Sequence, residues 1–315
     1  MRVVVITQGV SRVVAPLMSS GHEVIGIAES APRGASTARQ GLRAVARRLV
    51  GRAVRRLRTL EQYAADHRLP YFWLTRDSMA AFSQWLRQLR PDVLVVFSMS
   101  QLLPPEIFNL PPKGTINLHP SYLPEYRGPL PDFWQYRAFV PHAGVTVHYI
   151  DAGEDTGDII YQERVPVAFG TRSPEWLDLV VGRTGSQLLV KALDDIESRA
   201  APRLAQPGLS PTIRARQVKA AEHGDMIDWA NWPIDHIWHV LRGTEGWLNA
   251  LPRPSGLYTG QRWTIGEVER GAGSDLPATV GKDDRGHYVA CRDGRIRLSL
   301  RFSPVAALRH FLWRR

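Results

Sequence analysis

The chain has 315 residues, 44% of them hydrophobic, enough for one large or two medium cores. Its formal charge of +10 points to an anionic partner or substrate, while the single cysteine, Cys291, excludes an intrachain disulfide and fits a reducing cytoplasm. No apolar run reaches the roughly 18 residues of a membrane-spanning helix, so a transmembrane span is excluded.

The first residues, Met1-Arg2-Val3-Val4-Val5-Ile6-Thr7-Gln8-Gly9, form an apolar run too short for a signal peptide and are expected to be a buried first strand over 2–7. A helix over 10–20 and a strand over 23–28 complete a βαβ opening of an α/β sheet. The intervening turn, Thr7-Gln8-Gly9-Val10-Ser11-Arg12, lacks the three-glycine spacing of a dinucleotide site. Residues 33–58 hold nine arginines and no acid. Over 40–62, Leu42, Ala46, Leu49, Ala53, Leu57 and Leu60 recur at three and four, which predicts a basic amphipathic helix. Such a helix is either a solvated charged face or an arm for phosphates.

A helix over 78–90 ends before Pro91, and the apolar run 92–97 reads as a buried strand. Its end, Ser98-Met99-Ser100-Gln101-Leu102-Leu103, opens at the carboxyl edge of the sheet, where open α/β sheets bind ligands. The next strand, 114–119, carries Asn117 and His119 two residues apart, so alternation places both side chains on one face. Beyond it, Pro120, Pro124 and Gly128 bracket Leu123 and Tyr126 and predict a rigid loop.

A helix over 132–139 and a strand over 144–150 lead to Gly153-Glu154-Asp155-Thr156-Gly157-Asp158. A strand over 158–167 and a long helix over 173–197, opened by Ser173-Pro174-Glu175, follow. Residues 200–216, with Pro202, Pro207 and Pro211, read as a linker between domains over 1–199 and 217–315. In the second domain, a helix near 233–241 and strands near 262–267, 277–281, 287–292 and 295–301 suggest a small β-barrel, ending in a basic helix over 305–313.

The motif Asn-x-His-Pro-Ser-x-Leu-Pro-x-Tyr-Arg-Gly over 117–128, then Asp155-Thr156-Gly157, resembles the 10-formyltetrahydrofolate-dependent formyltransferases. The likeness is strongest over 90–165 and returns more weakly in the last ninety residues, through Ile227-Asp228-Trp229 and Arg292-Asp293-Gly294-Arg295. It implies an open, Rossmann-like, mostly parallel sheet with helices on both faces and a smaller barrel of the oligonucleotide-binding type. It also implies 10-formyltetrahydrofolate as formyl donor, held by Phe97, Met99, Leu102, Ser121, Tyr122, Leu123, Pro124 and Ile150. Tyr122 replaces the leucine usual in the Ser-Leu-Leu-Pro turn.

Formyl transfer to an amine needs a donor for charge growing on the formyl oxygen, and a group that moves protons near neutrality. His119 suits the second need. The Asn117 amide suits the first, and the Asp155 carboxylate would orient the imidazole and relay a proton. Singly, each residue has an ordinary reading as a strand-end or turn residue; their order and loop context point to a catalytic trio. No metal is required. His142 and His148 lack such context and read as a loop residue and a strand side chain.

Two acceptors are compatible with this chemistry. A small-molecule amine, including a nucleotide-linked amino sugar or an amino acid, is favoured by the long 30–62 insertion and by Gly128-Pro129-Leu130-Pro131-Asp132-Phe133-Trp134, which departs from the Arg-Gly-Ala-Ala-Pro of the tRNA enzymes. Methionyl-tRNA is favoured by the net charge and the C-terminal barrel.

Overall fold

The computed structural model describes residues 1–33, 58–252, 254, 262–271 and 275–301, which divide into two compact units. Most of the basic helix expected over 40–62, and all of the one expected over 305–313, lie outside the described residues.

The described helices are α1 (Val14–Met18), α2 (Leu60–Asp66), α3 (Met79–Leu89), α4 (Pro105–Phe108), α5 (Pro131–Arg137), α6 (Ser173–Leu177), α7 (Ser186–Glu197) and α8 (Ile234–Gly243). The helix expected over 173–197 is interrupted. Between α6 and α7, Asp178–Gly185 winds as a π-helix. Gly182 and Gly185, both weak helix formers, sit in that stretch.

Unit 1 comprises Met1–Gly128, Gly144–Val165 and Asp178–Arg214. It is built on a seven-stranded sheet of β1 (Arg2–Thr7), β2 (Glu23–Ser30), β3 (Tyr71–Leu74), β4 (Val93–Phe97), β5 (Thr115–His119), β6 (His142–Tyr149) and β7 (Ile159–Pro166), in the order β3-β2-β1-β4-β5-β6-β7. The first five strands pair in parallel, whereas β5 and β6 run antiparallel. Val4, Ile6, Leu94 and Val96 form one core with Phe82 and Leu86 of α3 and Ile107 of α4. The alternate residues Val3, Val5, Val93 and Val95 are equally buried, so both faces of β1 and β4 are covered. That double burial is why these strands read as continuous apolar runs.

Strand order reverses between β1 and β4, the position at which open α/β sheets bind ligands beyond the carboxyl ends of their strands. β5 lies next to β4, with Val96 paired to Asn117, and brings the motif to the same rim.

Unit 2 comprises Pro129–Ala143, Pro166–Leu177 and Ala215–Arg315. Its strands β8 (Arg262–Arg270), β9 (Val280–Asp283), β10 (Gly286–Cys291) and β11 (Gly294–Arg301) make a separate antiparallel sheet in the order β8-β11-β10-β9. Helix α8 buries Ile237, Val240 and Leu241, and its Ile234 N–H donates to the Asp293 carboxylate at 3.1 Å. Cys291 is buried, and burial pushes its thiol up to about 12.

Four arginines on and between these strands are paired internally. Arg295 reaches Asp275 and Asp283 at 3.2 and 3.3 Å, and Arg297 reaches Asp283 at 2.7 Å and Glu269. Arg285 pairs with Glu269 at 2.6 Å and Arg270 with Asp235 at 2.5 Å.

Candidate active site

Asn117 and His119 leave β5 on one face, as alternation requires, with His119 only 5% exposed. After His119 the chain turns at Pro120 into a loop held by its own polar groups. Ser121 Oγ donates to the Glu125 carbonyl at 2.6 Å, and the Leu123 N–H donates to Thr146 Oγ1 at 3.1 Å. The Leu123-Pro124 peptide is cis. Gly144 lies against the Tyr122 backbone, where any Cβ would overlap the Tyr122 nitrogen, so β6 and this loop can approach only through a glycine.

Asp155 arrives from the β6–β7 connection in a left-handed conformation, φ +56°. Aspartate tolerates that region better than most residues, and non-glycine residues held there concentrate at functional sites. Gly157 lets the turn close, because a Cβ there would overlap the Tyr149 carbonyl.

The three residues converge. Asp155 Oδ2 accepts from the Gly128 N–H at 2.8 Å and lies 3.5 Å from His119 Nδ1. Asp155 Oδ1 lies 3.5 Å from Asn117 Nδ2. On its far side, His119 Nε2 contacts the Tyr126 carbonyl at 3.2 Å. Both ring nitrogens thus face oxygen atoms of the protein, one on each side of the ring.

His148, read from the sequence as a strand side chain, belongs to this cluster. Asn117 and His148 are register partners on β5 and β6, so their side chains stand on the same face. His148 Nδ1 donates to the Tyr149 carbonyl at 2.7 Å, which leaves Nε2 as acceptor for the Asn117 amide N–H at 3.1 Å. Burial lowers the His148 pKa to about 4, against an opposing pull from Asp155, and keeps the ring neutral. Only the register of β6 against β5, which the sequence does not mark, brings it there.

The eight residues expected at the donor divide into two groups. Leu102 is 69% exposed, while Met99 and Ile150 pack, partly exposed, on the core cluster beneath the rim. Tyr122 is half-buried, with the Arg164 guanidinium 4.1 Å from its ring centroid, and Pro124 is likewise half-buried. Phe97, Ser121 and Leu123 are buried. Met99 and Leu102 follow the carboxyl end of β4, whereas the Ile150 N–H donates to the Thr115 carbonyl at the start of β5, at 2.8 Å.

Comparison with known proteins identifies the family. The formyl transferase family model matches residues 47–193. Methionyl-tRNA formyltransferase of Symbiobacterium thermophilum is 31% identical over 240 residues, spanning 75% of this chain and 72% of that protein. The chain belongs to the 10-formyltetrahydrofolate-dependent formyltransferase family. It is a folate-dependent N-formyltransferase, and 10-formyltetrahydrofolate is its formyl donor.

The methionyl-tRNA formyltransferase of Acetivibrio thermocellus is 29% identical to this formyltransferase over 243 residues, 75% of each chain. Among solved structures, HypX from Aquifex aeolicus in complex with tetrahydrofolic acid superposes with a TM-score of 0.58 at 14% identity. That superposition covers 96% of this formyltransferase but only 44% of HypX, and it speaks for the fold alone. No helix among the described residues is long and apolar enough to cross a membrane.

Proposed function

We propose that this formyltransferase acts on the amino group of methionyl-tRNA, with Asn117, His119 and Asp155 as its catalytic residues. What carries the acceptor reading is that relatives matching about three quarters of the chain are methionyl-tRNA formyltransferases. The donor supplies an activated formyl group. Asn117 Nδ2 donates to the formyl oxygen as charge grows on it, an interaction worth on the order of 3 kcal/mol of barrier lowering. His119 moves the proton between the arriving amine and the leaving nitrogen, and Asp155 holds its ring and shares that proton. Met99, Leu102, Tyr122, Pro124 and Ile150 form the donor's apolar seat, while Phe97, Ser121 and Leu123 support it from beneath.

A small-molecule amine is the second reading, and one observation favours it specifically. Arg270, Arg285, Arg295 and Arg297 on and between the C-terminal strands are each bound to a carboxylate. Arginines neutralised this way contribute little to binding a phosphate backbone.

The test is direct comparison of acceptors. With 10-formyltetrahydrofolate present, methionyl-tRNA is expected to react with kcat/KM of about 10⁴ M⁻¹ s⁻¹ or more, within the ordinary enzymatic range. Inert methionyl-tRNA alongside brisk formylation of a nucleotide-linked amino sugar or a free amino acid would transfer the assignment to the second reading.

A further inference from the structure

Residues 204–214, rich in proline and largely exposed, join the two loops of the catalytic site. Leu204 pairs with Ile159 through main-chain bonds of 2.9 and 3.0 Å, anchoring one end beside β7. Thr212 Oγ1 accepts from the Tyr126 N–H at 2.7 Å, and Arg214 pairs with Glu154, anchoring the other end to both loops.

Between these anchors sits Gln206, half-buried in an exposed stretch. Its Oε1 accepts from Arg127 Nη2 at 2.7 Å and from Arg127 Nε at 3.2 Å. Its Nε2 donates to the Asp155 carbonyl at 3.1 Å and to the Gly157 carbonyl at 2.7 Å. Arg127 is 8% exposed and completes its hydrogen bonding on the carbonyls of Pro207 and Gly208, at 2.8 and 3.1 Å. One amide therefore has its acceptor on the motif loop and its donors on the loop that carries the carboxylate.

We infer that Gln206 is a positioning residue for formyl transfer: it fixes the main chain of the Asp155 loop against the motif loop, so that Asp155 meets His119 and the Gly128 N–H. The inference rests on the catalytic assignment of Asp155 proposed above. Asp155 holds a left-handed backbone and reaches His119 at only 3.5 Å, so it depends on outside support. A shift of about 1 Å at such a site can cost on the order of 10²-fold in rate.

Gln206→Glu separates positioning from simple anchorage. A carboxylate still accepts from Arg127, and more strongly, but has no proton for the Asp155 and Gly157 carbonyls. The expected result is an unfolding midpoint within a few degrees of wild type, the stronger Arg127 contact offsetting the lost carbonyl contacts, and kcat with methionyl-tRNA lower by on the order of 10-fold or more, with KM for 10-formyltetrahydrofolate within about twofold. In the free protein, amide exchange at Gly128 and over 151–158 should quicken while β1 and β4 stay protected. Gln206→Ala should show the same local exchange. Wild-type kcat in Gln206→Glu, or unchanged exchange at Gly128 in both variants, would overturn the inference. Asp155→Asn, run alongside, isolates the underlying assignment: full turnover there removes the role of Asp155 and the inference with it. If wild type leaves methionyl-tRNA unreacted, the acceptor reading falls and the exchange data alone decide the role of Gln206.

Discussion

Asn117 Nδ2 and His148 Nε2 face each other at 3.1 Å across β5 and β6, and that pairing sets which end of the Asn117 amide turns toward His148. Because His148 spends its own N–H on the Tyr149 carbonyl, it can only accept, and only the amide NH2 can satisfy it. His148→Leu is expected to free the amide and lower kcat by on the order of 10- to 100-fold with little change in KM for the folate. Steady-state kinetics check this, and an unaltered kcat would remove the role.

Asn117→Ala should lower kcat on the order of 10²- to 10³-fold, the usual cost of losing one donor to a developing oxyanion. His119→Ala should abolish measurable transfer. Circular dichroism and melting curves close to wild type would show that folding survives; turnover near wild type in either variant would end the proposed mechanism.

Acid should weaken both units through buried neutral histidines. Burial lowers the pKa of His148 in unit 1 and of His239 in unit 2 to about 4, below the 6.5 of an unperturbed imidazole. Above pH 6.5 the ring is neutral in both states and contributes no slope. Between about 6.5 and 4 the unfolded chain binds protons that the folded chain refuses, so stability falls as pH falls, by up to about 1.4 kcal/mol per pH unit for each histidine. Below about 4 the slope levels off. Urea unfolding at pH 7 and 4.5 measures it, and His239→Phe should flatten the response of unit 2.

Gly157→Ala would push a methyl group into the Tyr149 carbonyl, the group that also receives the His148 Nδ1 proton. Displacing that turn moves Asp155 and His148 together. A fall in kcat on the order of 10²-fold is expected, with the melting temperature lowered by only a few degrees, since the turn lies at the rim of the sheet.

Salt dependence distinguishes the two acceptor readings. If methionyl-tRNA is bound chiefly through the arginine-rich segment, replacing Arg43, Arg47, Arg48, Arg52 and Arg55 by glutamine should reduce the slope of log affinity against log salt by about 0.7–0.9 for each phosphate no longer neutralised. Replacing the paired Arg285 and Arg297 should leave that slope nearly unchanged. A shallow slope in the wild type would favour the small-amine acceptor.

The sequence by itself determined the parts of this protein that depend on local periodicity. Continuous apolar runs announced β1 and β4, because strands covered on both faces need apolar residues at every position. A two-residue spacing placed Asn117 and His119 on one face, since strand geometry leaves no alternative. The glycine-flanked Asp155 declared a turn. Only the tertiary structure decided what crosses between segments. That His148 meets Asn117 follows from the register of two antiparallel strands, and a strand carries no local mark of its partner's register. That Gln206 ties Arg127 to the Asp155 loop follows from the path of a proline-rich stretch without periodicity. Its order comes from hydrogen bonds to distant chain segments, and such bonds leave no pattern in the residues that make them.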